Sequence, residues 1–447
     1  MRLSIIGGTG YVGLVTGIGL ASVGNDVICA DIDEKKIEGL NNNVLPIHEE
    51  GLYDLLLEVK ANNKITFTNC IKTAVTESDI IMIAVGTPEN KNGDSDLSQI
   101  VKALKSVAGY MDTYKVIVIK STVPVGTCDM AKLFISDNLK DSLVPFDVVS
   151  NPEFLREGSA VKDFLNPERV VIGADSQRAR SMMEELYKPF NTPLVITDTK
   201  SSEMIKYACN TYLATRISFI NEIAEICEKV NADITSVIEG MKYDKRIGPH
   251  YLNPGPGFGG PCLSKDIKSL ISFGSKANAN VNMLKAVLNR NEVQIKNIVN
   301  YVNEELKEIG CKKAAILGLS FKAGTNDTRN SPALHLIEKL SETKSEISVF
   351  DPIVKQIDEP LNSRVKFAEN ITEAVREADC LIIMTEWSDF KQLDLDSIYS
   401  LMNTPVIVDT RNVIDFEKAH ELGFKFKGVG LKSSKSKDNS DILKQAQ

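Results

Sequence analysis

Gly8-Thr9-Gly10-Tyr11-Val12-Gly13 is the stretch that decides how the chain begins to fold, because it follows the apolar run Leu3–Ile6 directly and opens a helical pattern. A G-x-G-x-x-G turn between a strand and a helix is typical of dinucleotide-binding sheets, with the phosphates at the helix N-terminus. Gly8 would permit the tight turn, Gly10 would let the backbone approach a pyrophosphate, and Gly13 would let the helix pack on the strand. The alternative is a glycine-rich turn in an unrelated sheet, but the strand–turn–helix context favours dinucleotide binding.

The acidic residue Asp31 indicates which dinucleotide is bound. It ends a second apolar run, Val27–Ala30, about twenty residues beyond the glycines. A carboxylate at this position accepts hydrogen bonds from both ribose hydroxyls and repels a 2′-phosphate, so we expect NAD rather than NADP. Lys36 follows soon after. Two interpretations of it stay open: contact with the adenosine side of the cofactor, or a solvated surface lysine.

Short apolar runs alternate with helical patterns at both ends of the chain, which predicts βαβ units and parallel sheets. Helix is indicated instead for residues 201–240 and, after the Gly/Pro-rich stretch 253–261, up to Lys307. The predicted fold class is therefore α/β, with two Rossmann-like, doubly wound parallel-sheet domains joined by a helical central domain. The predicted domains are 1–199, 200–308 and 309–431, followed by a flexible tail, 432–447. The clearest predicted strands are Leu3–Ile6, Val27–Ala30, Ile80–Val85, Val116–Ile119, Val170–Ile172, Ala314–Leu317, Ile347–Phe350, Leu381–Met384 and Val406–Val408.

The composition excludes several classes of protein. The 447 residues are 43% hydrophobic and carry a formal net charge of -8, which argues against a nucleic-acid coat or a basic membrane-surface protein. No apolar segment reaches the length of a membrane span. The eight cysteines include no C-x-x-C pair, so we expect no metal site and no redox dithiol. Dispersed, reduced cysteines are typical of a cytoplasmic protein.

Cys262 differs from the other seven cysteines in its surroundings. It lies in Gly257-Phe-Gly-Gly-Pro-Cys262-Leu-Ser-Lys265-Asp266, at the start of a predicted helix. A helix N-terminus and a nearby lysine both lower the pKa of a thiol, and the thiolate is the nucleophile. Asp266 follows four residues later on the same helical face. A small buried cysteine is the ordinary interpretation, but it explains the glycines poorly.

Three other groups of residues are candidates for binding or proton transfer. Lys206 and Asn210 share one helical face and could hold a developing alkoxide, although the spacing alone favours a solvated face. Glu153 and Glu157 could include a general base, or could be an acidic pair at a helix start. The stretch Val85-Gly86-Thr87 ends a predicted strand at the sheet edge where ligands bind in such folds.

These motifs, in this order, resemble the UDP-glucose 6-dehydrogenases within the UDP-glucose/GDP-mannose dehydrogenase family. The resemblance covers nearly the whole chain, so it is far more specific than any single motif. The matching blocks are Gly8–Gly13, Ser121–Thr127, Asn151–Gly158, Arg246–Tyr251, Gly257–Asp266, Gly318–Lys322, Asp327–Pro332, Thr385–Trp387 and Asp409–Asn412.

The resemblance implies a four-electron oxidation of a nucleotide-linked hexose, with Cys262 as the covalent nucleophile and NAD as the hydride acceptor. It implies that Lys206 and Asn210 stabilise oxyanions. Thr122, Glu153 and Asp266 would serve water and proton transfer, with Glu157 beside them. The implied cofactor-binding residues are Gly8, Gly10, Tyr11, Val12, Gly13, Asp31, Lys36, Val85, Gly86, Thr87, Thr122, Lys265 and Arg329. The implied substrate-binding residues are Glu153, Phe154, Leu155, Lys206, Asn210, Arg246, Tyr251, Asn253, Gly259, Phe321, Lys322 and Arg411, with the second sheet domain taking the uridine diphosphate.

The stretch 246–253 looks most like the UDP-glucose branch of the family. Three alternatives remain: the same chemistry on GDP-mannose or UDP-N-acetylmannosamine, a two-electron hydroxyacid dehydrogenase that needs no cysteine, and a non-catalytic NAD-binding scaffold. A substrate panel scored by kcat/KM tests the first alternative, the number of NADH formed per product tests the second, and cofactor binding without turnover would indicate the third.

The predicted helices 201–240 and 278–307 carry apolar faces that the helical middle is too small to bury within one chain. We therefore expect a symmetric homodimer through this region. The resemblance further implies that Arg246 reaches the substrate of the partner subunit, against the alternative of an exposed loop arginine. The apolar residues concerned are Ile217, Phe219, Ile223, Ile226, Val287, Ile295, Ile298 and Val299.

Overall fold

The computed structural model describes residues 1–343 and 345–431, so the predicted tail, 432–447, lies outside the described residues. The chain forms two compact units. The first unit consists of residues 1–211 and 265–281, and the second consists of 212–264 and the described residues from 282 onward.

Within residues 1–197, all of them described, eight strands form a single sheet in the order β3-β2-β1-β4-β5-β6-β7-β8. Neighbouring strands are parallel except β6 and β7, which are antiparallel. The first six strands follow the order of a classic dinucleotide-binding sheet, which reverses direction between β1 and β4. The strands are β1 (Arg2–Ile6), β2 (Asp26–Ala30), β3 (Ile65–Thr68), β4 (Ile80–Ile83), β5 (Lys115–Ile119), β6 (Phe146–Ser150), β7 (Val170–Gly173) and β8 (Leu194–Thr197).

Helices cover both faces of this sheet, which explains why its central strands are continuous apolar runs rather than alternating ones. All four residues of β4 are buried, and so are all five of β5. One core packs against α1 and the other against α5 and α6. The helices are α1 (Tyr11–Ser22), α2 (Glu34–Asn41), α3 (Leu52–Ala61), α4 (Ile71–Thr76), α5 (Ser98–Tyr110), α6 (Thr127–Asn138), α7 (Ala160–Leu165) and α8 (Gln177–Tyr187), followed by a 3-10 turn, Lys188–Phe190.

The predicted helical middle is present but is more divided than expected. The helix predicted over 201–240 is α9 (Thr199–Val230) and α10 (Ile234–Lys242), because Asn231 takes a left-handed φ of 56° and Asp233 caps the second helix. The helix predicted up to Lys307 is likewise two helices, α11 (Leu263–Lys276) and α12 (Asn282–Glu308). Asn278, with a φ of 59°, lies in the break between them.

Among the described residues 313–343 and 345–428, a second sheet has six parallel strands in the order β11-β10-β9-β12-β13-β14. Its order repeats that of the first six strands of the first sheet, so the predicted fold class is confirmed. The strands are β9 (Lys313–Leu317), β10 (Glu346–Phe350), β11 (Lys366–Phe367), β12 (Cys380–Ile383), β13 (Val406–Asp409) and β14 (Lys425–Gly428). The helices are α13 (Pro332–Leu340), α14 (Ile371–Val375), α15 (Ser388–Lys391), α16 (Leu395–Leu401) and α17 (Phe416–Glu421), with a 3-10 turn, Asn362–Arg364.

Every predicted strand is found, with ends that differ by at most about two residues, as is usual for such boundaries. Five strands were not among those predicted: β3, β8, β11 and β14, which lie at the sheet edges, and β6, which lies between β5 and β7. Edge strands are short and partly exposed, so their apolar runs are weak. Within the described parts of the chain, none of the helices is both long enough and apolar enough to cross a membrane.

Candidate active site

The glycine-rich turn after β1 has the geometry of a phosphate-binding turn, with one correction to the predicted roles. The left-handed residue is Gly7, with a φ of 84°, rather than Gly8. Gly8 is required for a different reason, because a side chain there would collide with Cys29. A Cβ at Gly13 would collide with the Gly7 carbonyl, so Gly13 lets α1 start close to the strand as predicted. A Cβ added at Gly10 would lie 3.4 Å from its nearest neighbour, the Gly7 carbonyl oxygen. This part of the turn is therefore open toward a ligand.

Asp31, at the carboxyl end of β2, is already oriented by the turn. The Thr9 amide and hydroxyl donate to one of its carboxylate oxygens at 3.1 and 2.7 Å, and the Asp33 amide donates to the other at 3.2 Å. Asp31 is only half-buried, so its carboxylate can still accept hydrogen bonds from a ribose. Lys36 is exposed and pairs with Asp33, so it stays a prediction as a cofactor contact.

Glu49, which the sequence did not single out, connects the turn to the segment that carries Glu153 and Glu157. Its buried carboxylate accepts a hydrogen bond from the Tyr11 hydroxyl. It also accepts from the Gly158 amide at 2.8 Å and from the amide of Ala160, the first residue of α7, at 2.5 Å. Burial, followed by the Glu49 contact, raises the pKa of the Tyr11 phenol well above its ordinary value. Tyr11 is therefore a hydrogen-bond donor at neutral pH.

The predicted residues after β4 and β5 lie at one edge of the sheet, because parallel strands end on the same side. The Ser121 hydroxyl donates to the Val85 carbonyl at 2.6 Å, and the Thr87 hydroxyl donates to the Thr122 carbonyl at 2.9 Å. These two bonds hold the loop after β4, which includes Gly86, against the loop after β5. The edge between the glycine-rich turn and Thr122 is therefore a preformed surface, as expected for a dinucleotide site.

Lys206 and Asn210 project from α9 into two buried polar pairs. The Lys206 ammonium lies 2.9 Å from a Glu153 carboxylate oxygen, and the Asn210 amide donates to Asp266 at 2.6 Å. All four side chains are largely buried, so the solvated-face interpretation of Lys206 and Asn210 is wrong. Glu153 lies in an irregular loop well before α7 begins, so the helix-start interpretation is wrong for it too.

The pair between Lys206 and Glu153 holds the carboxylate ionised. Burial, the largest single effect, raises the pKa of Glu153, but the Lys206 ammonium and the other groups that favour the carboxylate together leave the pKa below its ordinary value. The Leu155 amide, which donates at 2.5 Å, and the charge of Lys120 act in the same direction. An ionised carboxylate beside an ammonium can accept a proton from water or from a substrate hydroxyl.

Phe154, between Glu153 and Leu155, is held by cations. The Arg169 guanidinium lies 3.9 Å from its ring centroid, and the Lys206 ammonium lies 5.3 Å away. Arg169 was not predicted, since nothing in its local sequence distinguishes it from a surface arginine. The stacking fixes the loop that presents Glu153.

The helix α11 begins one residue after the exposed Cys262 and carries Asp266 in its first turn. Lys265 pairs with Asp266 at 2.7 Å. Farther along, Lys268 pairs with Glu89 at 3.0 Å, and Lys276 pairs with Asp94 at 2.7 Å, so the loop after β4 holds one face of the helix. Asp266 is thus kept against Asn210 by the first unit's own contacts.

In the second unit, amide side chains on helices hold the Gly/Pro-rich loop that leads to Cys262. Asn221 of α9 accepts from the Gly255 amide at 2.8 Å, and Gln294 of α12 donates to the Gly255 carbonyl at 2.7 Å. Asn291 of α12 bonds both the amide and the carbonyl of Phe258, at 2.7 and 3.0 Å. These amides are buried, so the loop is held in a single path.

The glycines before Cys262 approach protein backbone. A Cβ at Gly259 would collide with the Asn330 carbonyl, and one at Gly260 would come within 3.0 Å of the Phe321 ring. The Gly260 amide also donates to the Arg329 carbonyl at 2.9 Å. The expectation that the backbone passes close to another group is therefore met within the chain itself, by the segment 321–330.

The cations predicted to bind substrate (Arg246, Lys322 and Arg411) or cofactor (Arg329) differ in their surroundings. Arg411 is largely buried, donates to the carbonyls of Met384 and Phe321, and pairs with the Glu386 carboxylate at 3.3 Å. Lys322 lies over the Phe321 ring. By contrast, Arg246 and Arg329 are exposed side chains that pair with neighbouring aspartates, Asp244 and Asp327. Tyr251 has a left-handed φ of 58°, and Asn253 is exposed.

Comparison with known proteins finds one family along most of the chain. Models of the UDP-glucose/GDP-mannose dehydrogenase family match residues 1–191 as its NAD binding domain, 200–293 as its central domain and 315–416 as its UDP binding domain. The UDP-glucose 6-dehydrogenase TuaD of Bacillus subtilis (strain 168) is 42% identical over 98% of this chain and 95% of its own length. A UDP-glucose 6-dehydrogenase of Rhizobium meliloti (strain 1021) is 40% identical over 96% of this chain and 99% of its own.

Solved structures of nucleotide-sugar dehydrogenases are similar to this chain over nearly its whole length. A UDP-glucose dehydrogenase from Pyrobaculum islandicum is 33% identical with a TM-score of 0.87, and covers 96% of this chain and 98% of its own. A UDP-D-ManNAc dehydrogenase from Pyrococcus horikoshii is 31% identical with a TM-score of 0.85, and covers 96% of this chain and 99% of its own.

Proposed function

Because the chain belongs to the UDP-glucose/GDP-mannose dehydrogenase family, we propose that it oxidises UDP-glucose to UDP-glucuronate, using two NAD and one water. The observation that carries this proposal is the pair of buried contacts, Lys206 with Glu153 and Asn210 with Asp266. They bring together an ammonium, an amide and two carboxylates, which an oxidation followed by hydrolysis requires. Relatives about 40% identical along nearly their whole length carry the name UDP-glucose 6-dehydrogenase.

The N-terminal domain is an NAD-binding domain, and NAD supplies the acceptor for the hydrides that the substrate loses. The residues present fit this cofactor. The open backbone at Gly10 and the N-terminus of α1 suit a pyrophosphate, and the carboxylate of Asp31, held by Thr9, suits a ribose diol. The surface between Val85 and Thr122 takes the nicotinamide half.

In the first oxidation, the hydroxyl at C6 of the hexose loses a proton and its carbon loses a hydride, giving an aldehyde. The developing negative charge on the oxygen is stabilised by the Lys206 ammonium and the Asn210 amide, which are desolvated and already oriented. Donors buried in this way stabilise an oxyanion more than they would in water, because little reorganisation is needed.

The second half of the reaction passes through Cys262. Its thiolate adds to the aldehyde carbon, giving a thiohemiacetal, which loses a second hydride and a proton to become a thioester. Water then attacks the thioester carbonyl, releasing the carboxylate and the thiolate. Glu153 and Asp266 accept and return the protons, and Thr122 positions the water.

The substrate's nucleotide part binds to the second unit, whose C-terminal domain is a UDP-binding domain. Lys322 and Arg411 provide positive charge for the diphosphate, and Phe321 and Gly259 border the same loop. Arg carries planar donors that suit phosphate oxygens, whereas Lys acts as a point charge.

The assembly we propose is a homodimer through α9. An apolar stripe on this helix, Tyr212, Phe219, Ile226 and Val230, is at least 50% exposed at each residue. Residues seven apart lie on one helical face, so the stripe is continuous. By contrast, Val287, Ile298 and Val299 of α12 are buried within their own chain and do not contribute, which corrects the expectation that both helices do. A cytoplasmic location suits the enzyme, because Cys262 must stay reduced.

Purified protein should be incubated with NAD and a panel of UDP-glucose, UDP-N-acetylmannosamine and GDP-mannose, with product mass measured. We expect kcat/KM to be highest for UDP-glucose. Its product should be about 14 mass units heavier than UDP-glucose, because C6 loses two hydrogens and gains one oxygen. If kcat/KM is highest for another of these sugars, that sugar is the substrate instead. If none of the sugars is turned over, the protein is an NAD-binding scaffold without this activity.

A further inference from the structure

Lys120, directly after β5, is a buried lysine that the predicted mechanism does not use. The residue is only 4% exposed. Its ammonium donates to the backbone carbonyl and to the side-chain oxygen of Asn151, at 3.2 Å each. Both partners are neutral oxygens. Lysine is almost never buried without a charged partner, so this arrangement needs an explanation.

Asn151 directly follows β6, two residues before Glu153, and it forms hydrogen bonds with Lys120, Val171 and Tyr187. It is fully buried. Its side-chain amide donates to the Val171 carbonyl of β7 at 2.8 Å, and the Tyr187 hydroxyl of α8 donates to its side-chain oxygen at 2.5 Å. With the Lys120 contacts, these bonds determine the direction in which Asn151-Pro152-Glu153 leaves the sheet.

We propose that Lys120 is a positioning residue for Glu153: its buried ammonium holds Asn151 and places a second positive charge beside the Glu153 carboxylate. This proposal rests on the proposed function, in which Glu153 accepts protons. Lys206 makes the direct contact with Glu153, whereas Lys120 contacts Asn151, two residues before Glu153 in the same loop. Two cations around one carboxylate favour the ionised form over the range where a base is needed.

The charges around Lys120 are consistent with this role. The charged groups that act on it are Glu153, from the loop after β6, and Lys206, from α9. The phenol of Tyr187, from α8, shares its partner Asn151. Burial lowers the pKa of Lys120 to about 8, with Glu153 opposing the shift and Lys206 adding to it. Lys120 therefore carries its charge below about pH 8 and loses it above.

The test compares Lys120→Met with Tyr187→Phe. Both variants remove a donor from Asn151, but only the first removes a charge, so Tyr187→Phe is the matched control for loop geometry. Glu153 is active when ionised, and loss of a nearby cation raises its pKa, so Lys120→Met should lose activity most at low pH. The quantity to measure is the ratio of wild-type to variant kcat with UDP-glucose, from about pH 8.5 to about pH 5.

For Lys120→Met we expect this ratio to grow about twofold or more toward low pH, because removing an opposite charge shifts a carboxyl pKa by roughly one unit or more. For Tyr187→Phe the ratio should stay constant. Lys120→Gln keeps a donor toward Asn151 without the charge, and carries the same prediction should Lys120→Met not fold. Constant ratios for the lysine variants, parallel to Tyr187→Phe, would overturn the proposal. A wild-type protein without turnover would instead overturn the proposed function.

Discussion

Asp31 and Asp33 are separated by one residue and have different tasks. Asp31 is the residue predicted to bind the ribose and is oriented by Thr9, whereas Asp33 caps α2 and pairs with Lys36. The difference between them gives a direct test of cofactor choice, since only Asp31 is predicted to repel a 2′-phosphate.

We expect Asp31→Ala to lower kcat/KM for NAD by about tenfold or more, because hydrogen bonds to a charged group contribute about 1.5–3 kcal/mol. The preference for NAD over NADP should narrow, because the repulsion of the 2′-phosphate is lost. Steady-state kinetics with both cofactors measures this, with Asp33→Ala as the control that should leave the preference intact. Equal kcat/KM of the wild-type protein for NAD and NADP would contradict the assignment.

Glu49 offers a second prediction at the level of one side chain. It accepts hydrogen bonds from Tyr11, Gly158 and Ala160, so Glu49→Ala leaves buried donors without a partner. We expect a loss of about 1–3 kcal/mol in the free energy of unfolding, together with weaker NAD binding, because Tyr11 lies in the glycine-rich turn. Urea unfolding and NAD titration measure the two effects. The neighbouring, exposed Glu50 gives the control Glu50→Ala, and equal behaviour of the two variants would refute the connecting role.

Among the elements, the loop before α11 is one where local geometry strongly constrains the sequence. Gly259 packs against Asn330, and a Cβ at this position would collide with the Asn330 carbonyl, which is backbone and cannot rotate away. By contrast, Gly240 in α10 is exposed, with no atom within 4 Å of an added Cβ. The two glycines form a matched pair for substitution.

Gly259→Ala should displace the loop and lower kcat strongly, whereas Gly240→Ala should keep full activity. In a helix interior the second change should even stabilise the protein, by roughly 0.5–1 kcal/mol. Thermal unfolding and turnover with UDP-glucose check both statements. Wild-type kcat in Gly259→Ala would mean that the loop position does not matter for Cys262.

The sequence predicted elements with strong local signals and missed those determined by tertiary contacts. Central strands such as β4 are continuous apolar runs, and the glycine-rich turn has a diagnostic spacing, so both could be identified. The edge strands could not, because half-exposed strands lack such runs. In the site, spacing paired Lys206 with Asn210 but could not show that each meets a carboxylate from a distant segment. Asn291, Arg169 and Lys120 carry no local signal, since their roles depend on partners far away in the chain.

At the scale of the whole molecule, the exposed stripe on α9 determines the expected assembly. Phe219→Asp places a charge in the middle of this stripe. Because a buried charge without a partner is costly, the variant should run as a monomer in ultracentrifugation while the wild-type protein runs as a dimer. Leu133→Asp, at an exposed apolar residue of α6 outside the stripe, is the control and should stay dimeric. A monomeric, active wild-type protein would contradict the dimer.

The dimer also allows a test of Arg246, whose side chain is exposed and pairs with Asp244. If Arg246 binds substrate in the partner subunit, Arg246→Ala and Cys262→Ala should complement each other. Refolded together, the two inactive variants should form mixed dimers that each regain one working site. If mixed dimers form without any gain in activity, Arg246 either binds substrate in its own subunit or does not bind substrate.

The central claim is a four-electron oxidation through Cys262, and the number of NADH formed per UDP-glucose consumed tests it most directly. We expect two NADH per sugar from the wild-type protein, with UDP-glucuronate as the product, and no sustained formation of UDP-glucuronate by Cys262→Ala although it still binds both ligands. One NADH per sugar, or near-normal turnover by Cys262→Ala, would contradict the covalent mechanism.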